Sequence, residues 1–163
     1  MSLLIRGATL DDLDAIVGFN ARLAAETEGK VLDLGVLAAG VAASLADPAR
    51  LRYWMAEREG SVLGQCAVTR EWSDWRNGWV WWFQSVYVAA EARGRGVFRA
   101  LYAHVWETAR DLPDVIGLRL YVEGRNVVAQ ETYRAMGMVH GGYEVYEELW
   151  HERFGAVMTA DKT

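Results

Sequence analysis

A loop rich in arginine and glycine, Arg93-Gly94-Arg95-Gly96, directly precedes an apolar stretch with helical periodicity and could bind an anion. Glycine lets the backbone approach a ligand closely, and the first N–H groups of a helix lack intrahelical partners. A helix N-terminus carries about half a positive charge and stabilises an exposed anion by roughly 0.3–1 kcal/mol. The arginines add positive charge, so a pyrophosphate would fit. The alternative is a strand-to-helix turn with solvated arginines, which the loop alone slightly favours.

Two common phosphate-binding motifs do not fit this loop. A dinucleotide-binding fingerprint requires a third glycine where Arg99 stands, and a P-loop requires Gly-Lys followed by Ser or Thr, which the chain lacks. The loop is therefore interpreted as a different kind of anion site.

Residues around the loop extend it into a longer pattern. Val88 precedes it, Val97 follows it, and a helix further along carries four residues at fixed spacing, Asn126, Ala129, Tyr133 and Gly137. The order is a strand, an Arg/Gln-x-x-Gly-x-Gly/Ala loop, a helix, a strand and an Asn-x-x-Ala-x-x-x-Tyr-x-x-x-Gly helix. This order, matched from residue 86 to residue 138, resembles the GNAT superfamily of acetyl-CoA-dependent N-acetyltransferases. The sequence departs from the family at Phe98, usually Gly or Ala, and at Ala90, where proline is common.

The resemblance implies acetyl-CoA as co-substrate and no metal. In the family, the strand at Val86–Val88 parts from the strand predicted at Gly117–Val122, and backbone groups of Val86 and Val88 bind the pantetheine arm in the gap. The N–H of Val86 would also stabilise the oxyanion of the tetrahedral intermediate. The cofactor-binding residues that the resemblance implies are Val86, Tyr87, Val88, Arg93, Gly94, Arg95, Gly96, Val97, Phe98, Asn126 and Tyr133.

Two of these residues share one helix face. Asn126 and Tyr133 are seven residues apart, which is two helical turns to within ~20°, so both side chains can face one ligand. Asn126 can also cap the helix, and Tyr133 could be a core aromatic. The resemblance favours Tyr133 as the acid that protonates the departing thiolate.

The amine must lose a proton before it attacks. For a lysine-like amine with a pKa of ~10.4, deprotonation near neutral pH costs about 4 kcal/mol. The family commonly uses a carboxylate on the central strand, but this strand offers Gln84, which can hold a water and cannot act as a base. Glu71 is the first candidate for a water-relayed base. Glu26, Glu28 and Asp74 are further candidates, and for all four a solvated surface carboxylate is the competing interpretation.

Five of the eight tryptophans fall between residues 72 and 82, which is dense for a turn between two strands. Trp72 and Trp75 are predicted in the connecting loop with Glu71 and Asp74. Aromatic faces beside carboxylates suit a cationic or aromatic amine. A rigid hairpin tip or a dimer contact explains the cluster equally well. The predicted substrate-binding residues are Glu26, Trp72, Asp74 and Trp75.

Elements that position these residues follow from the apolar periodicity. The predicted strands are Leu3–Arg6, Arg52–Arg58, Ser61–Thr69, Trp79–Val88, Gly117–Val122 and Tyr143–Leu149, with Glu59-Gly60 joining the second and third as a hairpin. Strict alternation in the fourth strand would place Val86 on the face of Trp82 and Gln84. The predicted helices begin after Thr9, near Leu34, at Val97 and after Asn126, with Gly137 ending the last. This is an α+β fold, and the resemblance implies a GNAT-like mixed, mostly antiparallel sheet with a splay between the fourth and fifth strands and helices on both faces.

Composition limits the functional classes. The 163 residues fit one domain, which the resemblance implies is an N-acetyltransferase domain, and residues from about 151 to 163 are expected to form a mobile tail. The net charge of −5 argues against a nucleic-acid partner, and no apolar run suggests a membrane span or an export signal. We therefore expect a cytoplasmic protein, with a homodimer as a possible assembly. His104, His140 and His151 show no metal-ligand spacing.

Several functions remain open. The first is transfer of acetyl from acetyl-CoA to a primary amine of a small molecule, by direct attack in a ternary complex. The second is a catalytically silent acyl-CoA-binding or sensing module, which Gln84 and the lack of an obvious base make credible. A peptide N-terminus or a lysine is an alternative acceptor, and an interaction domain using the tryptophans is a further reading.

Overall fold

The computed structural model describes residues 2–150 and the backbone of residues 158–159. The strands are β1 (Leu4–Gly7), β2 (Lys30–Val31), β3 (Arg52–Arg58), β4 (Ser61–Ser73), β5 (Gly78–Val88), β6 (Val115–Leu120) and β7 (Met158–Thr159). The helices are α1 (Leu13–Glu28), α2 (Leu34–Ala46), α3 (Val97–Arg110) and α4 (Val127–Ala135). Short 3-10 turns lie at Leu10–Asp12 and Ala90–Ala92. The rest of the predicted tail lies outside the described residues.

One mixed sheet organises the fold, with strand order β1-β3-β4-β5-β6. The first three pairings are antiparallel and β5 pairs with β6 in parallel. The parallel register ends where Phe83 faces Leu120, although β5 continues to Val88. The two strands therefore part, which is the splay predicted between the fourth and fifth strands of the sheet. A separate antiparallel pair joins β2 to β7.

Helices cover both faces of the sheet. The apolar stripe of α3, with Leu101 and Val105 fully buried, packs against Trp81 and Phe83 of β5. On the opposite face, α1 and α2 pack their apolar residues against Tyr53, Met55, Ala67 and Tyr87. Two cores therefore hold the sheet, and β5 contributes side chains to both.

A bulge in β5 overturns the predicted alternation. Gln65 of β4 pairs with Tyr87, and Ala67 pairs with Gln84. The pairing therefore advances by two residues on β4 and by three residues on β5. Ser85, within this interval, has a φ of +50°. The extra residue turns Val86 to the α3 core and Tyr87 to the α1 core. The prediction that Val86 shares a face with Trp82 and Gln84 is wrong, because it assumed an uninterrupted period of two.

The hairpin between β3 and β4 is confirmed, with positive φ at Glu59 and Gly60 in its turn. Strand β4 extends past the predicted end at Thr69, because Glu71 pairs with Val80 and Trp72 pairs with Trp79. Glu71 and Trp72 therefore lie in a strand, and the connecting loop is confined to residues 74–77.

The C-terminal part of the described chain differs from the prediction. Asn126 caps α4 through its Oδ1 atom, which accepts from the Ala129 N–H at 3.1 Å, and Gly137 has a φ of +90° after the helix, as predicted. The predicted strand Tyr143–Leu149 is wrong, because residues 141–150 form no strand. Its alternating side chains are exposed, Tyr146 by 90%, so no buried face and no partner strand among the described residues supports it.

The single cysteine belongs to the core. Cys66 has no exposed surface and packs with the α3 cluster, and burial raises the pKa of its thiol. Among the helices of the described residues, none is both long and apolar enough to cross a bilayer.

Candidate functional site

The Arg93–Gly96 loop has an open, glycine-dependent backbone. Gly94 and Gly96 have φ values of +73° and +79°, which L-residues rarely adopt. No atom lies within 4 Å of a Cβ built at either position, so the space beside them is free. Gly96 is the N-cap of α3, and Val97 buries its side chain, leaving only its backbone for a ligand. An anion can therefore approach the first N–H groups of α3.

Arg93 is turned away from that open space. Its Nε atom donates to the Val88 carbonyl at 2.9 Å, and its guanidinium donates to the Glu26 carboxylate at 2.6 Å. The guanidinium also lies 5.4 Å from the centre of the Tyr87 ring. Its side chain therefore fixes the loop to β5 and α1, whereas the Arg95 side chain is exposed.

Glu26 belongs to this junction. Its carboxylate accepts from the Tyr87 hydroxyl at 2.7 Å as well as from Arg93, and these two hydrogen bonds, Tyr87 first, lower the pKa of Glu26. Burial, followed by the bond to Glu26, raises the pKa of Tyr87. The structure thus places Glu26 beside the Arg93–Gly96 loop, apart from the other residues predicted to bind the substrate.

Behind the β5 bulge lies a buried polar network that the sequence analysis missed. Gln65 Nε2 donates to the Ser85 carbonyl at 3.1 Å and to Asn20 Oδ1 at 2.8 Å. Asn20 Nδ2 donates to the Tyr53 hydroxyl at 3.2 Å. Gln65 is 0% exposed. A glutamine within the apolar stretch Leu63–Val68 was the available signal, because a buried amide needs partners.

A large cavity of about 1120 Å³ lies between the β4–β5 loop, β6, α4 and residues 138–146. Four residues predicted for catalysis or substrate binding on β4 and its loop line it together with Tyr133: Glu71, Trp72, Asp74 and Trp75. Trp75 is 87% exposed. The structure therefore brings the predicted acid and most of the predicted substrate residues to one cavity.

Tyr133 is held by aromatic contacts. Its ring lies 5.7 Å from the Phe98 ring in an edge-on arrangement, and Phe98 lies 6.2 Å from Tyr102, which stacks on Phe83 at 5.5 Å. Phe98, in the first turn of α3, thus links Tyr133 to the helix that follows the Arg93–Gly96 loop. Burial raises the pKa of Tyr133, so the hydroxyl stays protonated near neutral pH and suits a proton donor.

Comparison with known proteins identifies the family. The sequence profile of the Acetyltransferase (GNAT) family matches residues 21–138. The chain belongs to this family. Its structure is similar to that of a possible acetyltransferase from Clostridium difficile 630, with 42% sequence identity and a TM-score of 0.85, over 92% of this chain and 99% of that chain. A comparison with functionally curated proteins gives no match.

Two more distant structures show the GNAT fold alone. One is a "predicted acetyltransferase with acetyl-CoA" from Clostridium acetobutylicum, with 17% identity and a TM-score of 0.73, over 95% of this chain and 100% of that chain. The other is a ribosomal-protein-alanine N-acetyltransferase from Brucella melitensis biovar Abortus 2308, with 15% identity and a TM-score of 0.73, over 91% and 99% of the two chains.

The predicted base of this GNAT protein lies far from the predicted oxyanion donor. Glu71 faces Val80, six residues before Val86, which is about 20 Å at roughly 3.3 Å per residue. Its carboxylate accepts from the Arg119 guanidinium at 3.1 Å. Gln84, two residues before Val86, has an exposed side chain. Gln84 is therefore closer to Val86 along β5 than Glu71 is, although the bulge places the side chains of Gln84 and Val86 on different faces of the sheet.

The donor set gives no indication of a metal centre. In the part of the chain that the structure describes, no group of three or more His, Cys, Asp or Glu side chains is arranged to hold a metal ion. The Asn126 side chain, predicted to contact the cofactor, is engaged as the cap of α4.

Proposed function

We propose that the protein transfers an acetyl group from acetyl-CoA to a primary amine of a small molecule, by direct attack in a ternary complex. The observation that carries this proposal is the position of Tyr133. Its side chain lines the large cavity and contacts Phe98 in the first turn of α3, directly after the Arg93–Gly96 loop. One residue therefore joins the side where a cofactor would bind to the side where an acceptor would enter.

The cofactor would follow β5 through the splay. The open backbone at Gly94 and Gly96 suits the pyrophosphate. Val86–Val88 suit the pantetheine arm, because β5 continues there beyond its pairing with β6. The Val88 carbonyl already accepts a hydrogen bond from Arg93. A pantetheine arm that bonds to this carbonyl would therefore share it with Arg93. The N–H of Val86 is the proposed donor to the carbonyl oxygen as negative charge develops.

The chemical step needs one proton accepted and one donated. The neutral amine nitrogen attacks the thioester carbon, the C–S bond breaks, and Tyr133 gives its proton to the departing sulfur. The proton of the amine passes to a water held at Gln84, since the glutamine itself is no base. Glu71 remains the predicted final acceptor of this proton. Its distance from Val86 requires further waters to carry the proton.

The acceptor is proposed to enter through the large cavity. Its volume of about 1120 Å³ is slightly above the usual range of small-molecule pockets, roughly 300–1,000 Å³. Trp72 and Trp75 offer aromatic faces beside Asp74 and Glu71, which suits an ammonium group before it loses its proton. The lining also contains Arg76, Arg119 and Arg134, so the acceptor meets both signs of charge.

The deciding experiment mixes the protein with acetyl-CoA and a panel of amines and follows the release of the CoA thiol. The panel includes small aliphatic and aromatic amines, a peptide with a free N-terminus and a peptide with a lysine. Thiol release that requires a small amine supports the proposal, and release with peptides alone identifies a peptide acceptor. Binding of acetyl-CoA without amine-dependent release would instead establish the silent module.

Trp75→Ala tests the acceptor path. Because Trp75 is 87% exposed, its loss should leave the melting temperature unchanged while raising the KM of the amine several-fold. The KM of acetyl-CoA should stay the same. Trp106→Ala removes another exposed tryptophan that does not line the large cavity and should change neither constant. If both constants moved together in Trp75→Ala, the tryptophan cluster would be scaffold.

A further inference from the structure

The β5 bulge holds a serine in a backbone conformation that glycine normally adopts. Ser85 has a φ of +50°, and a non-glycine residue persists there only when its surroundings enforce it. The bulge comes immediately before Val86, in the segment where β5 has no pairing with β6. Whatever enforces the conformation of Ser85 also sets the direction of the next N–H group.

The side chain of Gln65, on the neighbouring strand β4, donates a hydrogen bond to this bulge. It is 0% exposed, and its Nε2 atom donates to the Ser85 carbonyl as well as to Asn20. Asn20 is 7% exposed and donates in turn to the hydroxyl of Tyr53, which is 5% exposed. The Gln65 Oε1 atom is buried and makes no hydrogen bond with the described residues. Burying an oxygen without a hydrogen bond costs free energy, and an apolar side chain would avoid this cost. Packing of the core alone therefore does not explain a glutamine at this position.

Because the peptide is planar, the hydrogen bond from Gln65 to the Ser85 carbonyl also affects the direction of the Val86 N–H. No cis peptide bond occurs in the described residues, so the Ser85–Val86 peptide is trans and its C=O and N–H point in opposite directions. The C=O points to Gln65 on β4. The N–H of Val86 therefore points away from the Gln65 amide, in the segment where β5 has no pairing with β6.

We propose that Gln65 is a positioning residue for acetyl transfer. Its amide fixes the Ser85–Val86 peptide so that the Val86 N–H faces the thioester carbonyl, while Asn20 and Tyr53 fix the amide. This inference rests on the proposed function, because it assigns a task to the proposed oxyanion donor. It explains both the buried amide and the left-handed serine.

The test is Gln65→Met, which keeps the volume and removes the hydrogen bonds. The stretching frequency of the thioester carbonyl, recorded with ¹³C-labelled acetyl-CoA, should shift down on binding to the wild type and lose most of this shift in the variant. The kcat should fall about ten- to hundredfold, toward the loss seen when an oxyanion donor is removed. Affinity for free CoA, which has no carbonyl at this position, should stay the same.

Other variants separate positioning from stability. Ser44→Ala, which removes a buried hydroxyl on α2, should change neither the carbonyl frequency nor kcat. Adding Ser85→Gly to Gln65→Met should restore melting temperature, because glycine relieves the backbone strain, without restoring kcat. If Gln65→Met does not fold, Tyr53→Phe removes only the last hydroxyl of the network and should weaken the carbonyl shift partially.

Three outcomes would overturn the inference. These are an unshifted carbonyl in the wild type, equal losses of affinity for CoA and acetyl-CoA in Gln65→Met, or full recovery of kcat with Ser85→Gly. A wild type that acetylates no amine would contradict the proposed function instead. The carbonyl frequency needs no amine, so it still decides the role of Gln65 in that case.

Discussion

Two segments of the candidate site have left-handed backbone, and they reach it in opposite ways. In the Arg93–Gly96 loop, glycine permits the conformation and no atom lies within 4 Å of a Cβ built at Gly94 or Gly96. At the β5 bulge, a serine has this conformation, and the carbonyl of Ser85 accepts a hydrogen bond from the fully buried Gln65. An open loop can adjust to a large, charged group, whereas an enforced bulge can aim one donor. Under the proposed function, the segment expected to bind the cofactor and the segment expected to act on the thioester therefore have different kinds of backbone.

Tyr133→Phe should give the largest effect. It should slow the chemical step without changing the binding of acetyl-CoA. Phenylalanine keeps the contact with Phe98 but cannot protonate the sulfur, so kcat should fall by about 10²–10⁴-fold. The affinity for acetyl-CoA should stay within a few fold. Single-turnover kinetics and a binding titration measure the two quantities separately, and an undiminished chemical rate would make Tyr133 a packing residue.

Gly96→Asp should act on the binding side alone. Wild-type protein with acetyl-CoA at 100 times its Kd should gain ~2.7 kcal/mol in unfolding free energy. The aspartate places negative charge where the pyrophosphate would bind, so this gain should vanish. The measurement is the melting shift with and without acetyl-CoA.

A matched control corrects for backbone strain. Gly60 in the β3–β4 turn has a φ of +77°, close to the +79° of Gly96, and also has no atom within 4 Å of a built Cβ. Gly60→Asp should lower the melting temperature comparably and keep the full shift with acetyl-CoA. Equal shifts in Gly96→Asp and wild type would show that the loop binds no phosphate.

Glu26→Gln should give the smallest effect and concerns the junction between the two segments. The pKa of Glu26 is lowered in the folded protein, so its charged form stabilises the fold at pH values above the unfolded carboxyl pKa of about 4.3. That contribution is lost as the pH falls through the lower, folded pKa. Glu26 and Arg93 are both solvent-accessible, so the effect is small.

Thermal melts from pH 3 to pH 8 test this prediction. The variant should melt slightly below wild type at neutral pH, and the difference should disappear at the acidic end. A difference that persists unchanged at pH 3 would mean that the stabilisation does not come from the Glu26 carboxylate.

The contrast between the two segments also explains what the sequence could predict. The glycine spacing of the loop, the apolar period of α3 and the cap at Asn126 are local signals, and the structure has these features where they were expected. Nothing local marks Ser85, because its hydrogen-bond partner Gln65 lies on another strand.

Two further differences have the same origin in long-range pairing. The length of β4 depends on its register with β5, which carries Glu71 into the strand and away from Val86. The stretch at residues 143–149 alternates as a strand should, but alternation supplies no partner, and the side chains stay exposed. Site residues that depend on a neighbouring strand therefore require the register, which the sequence alone does not contain.

Because Cys66 is buried, the folded protein adds no reactive thiol of its own to an assay that detects released CoA. It is the only cysteine in the chain, it has no exposed surface, and burial holds its thiol protonated. A thiolate-selective reagent added to folded protein should therefore count released CoA and nothing else. Once the chain unfolds, each molecule contributes one reactive sulfur, so the same reagent without acetyl-CoA reports the unfolded fraction.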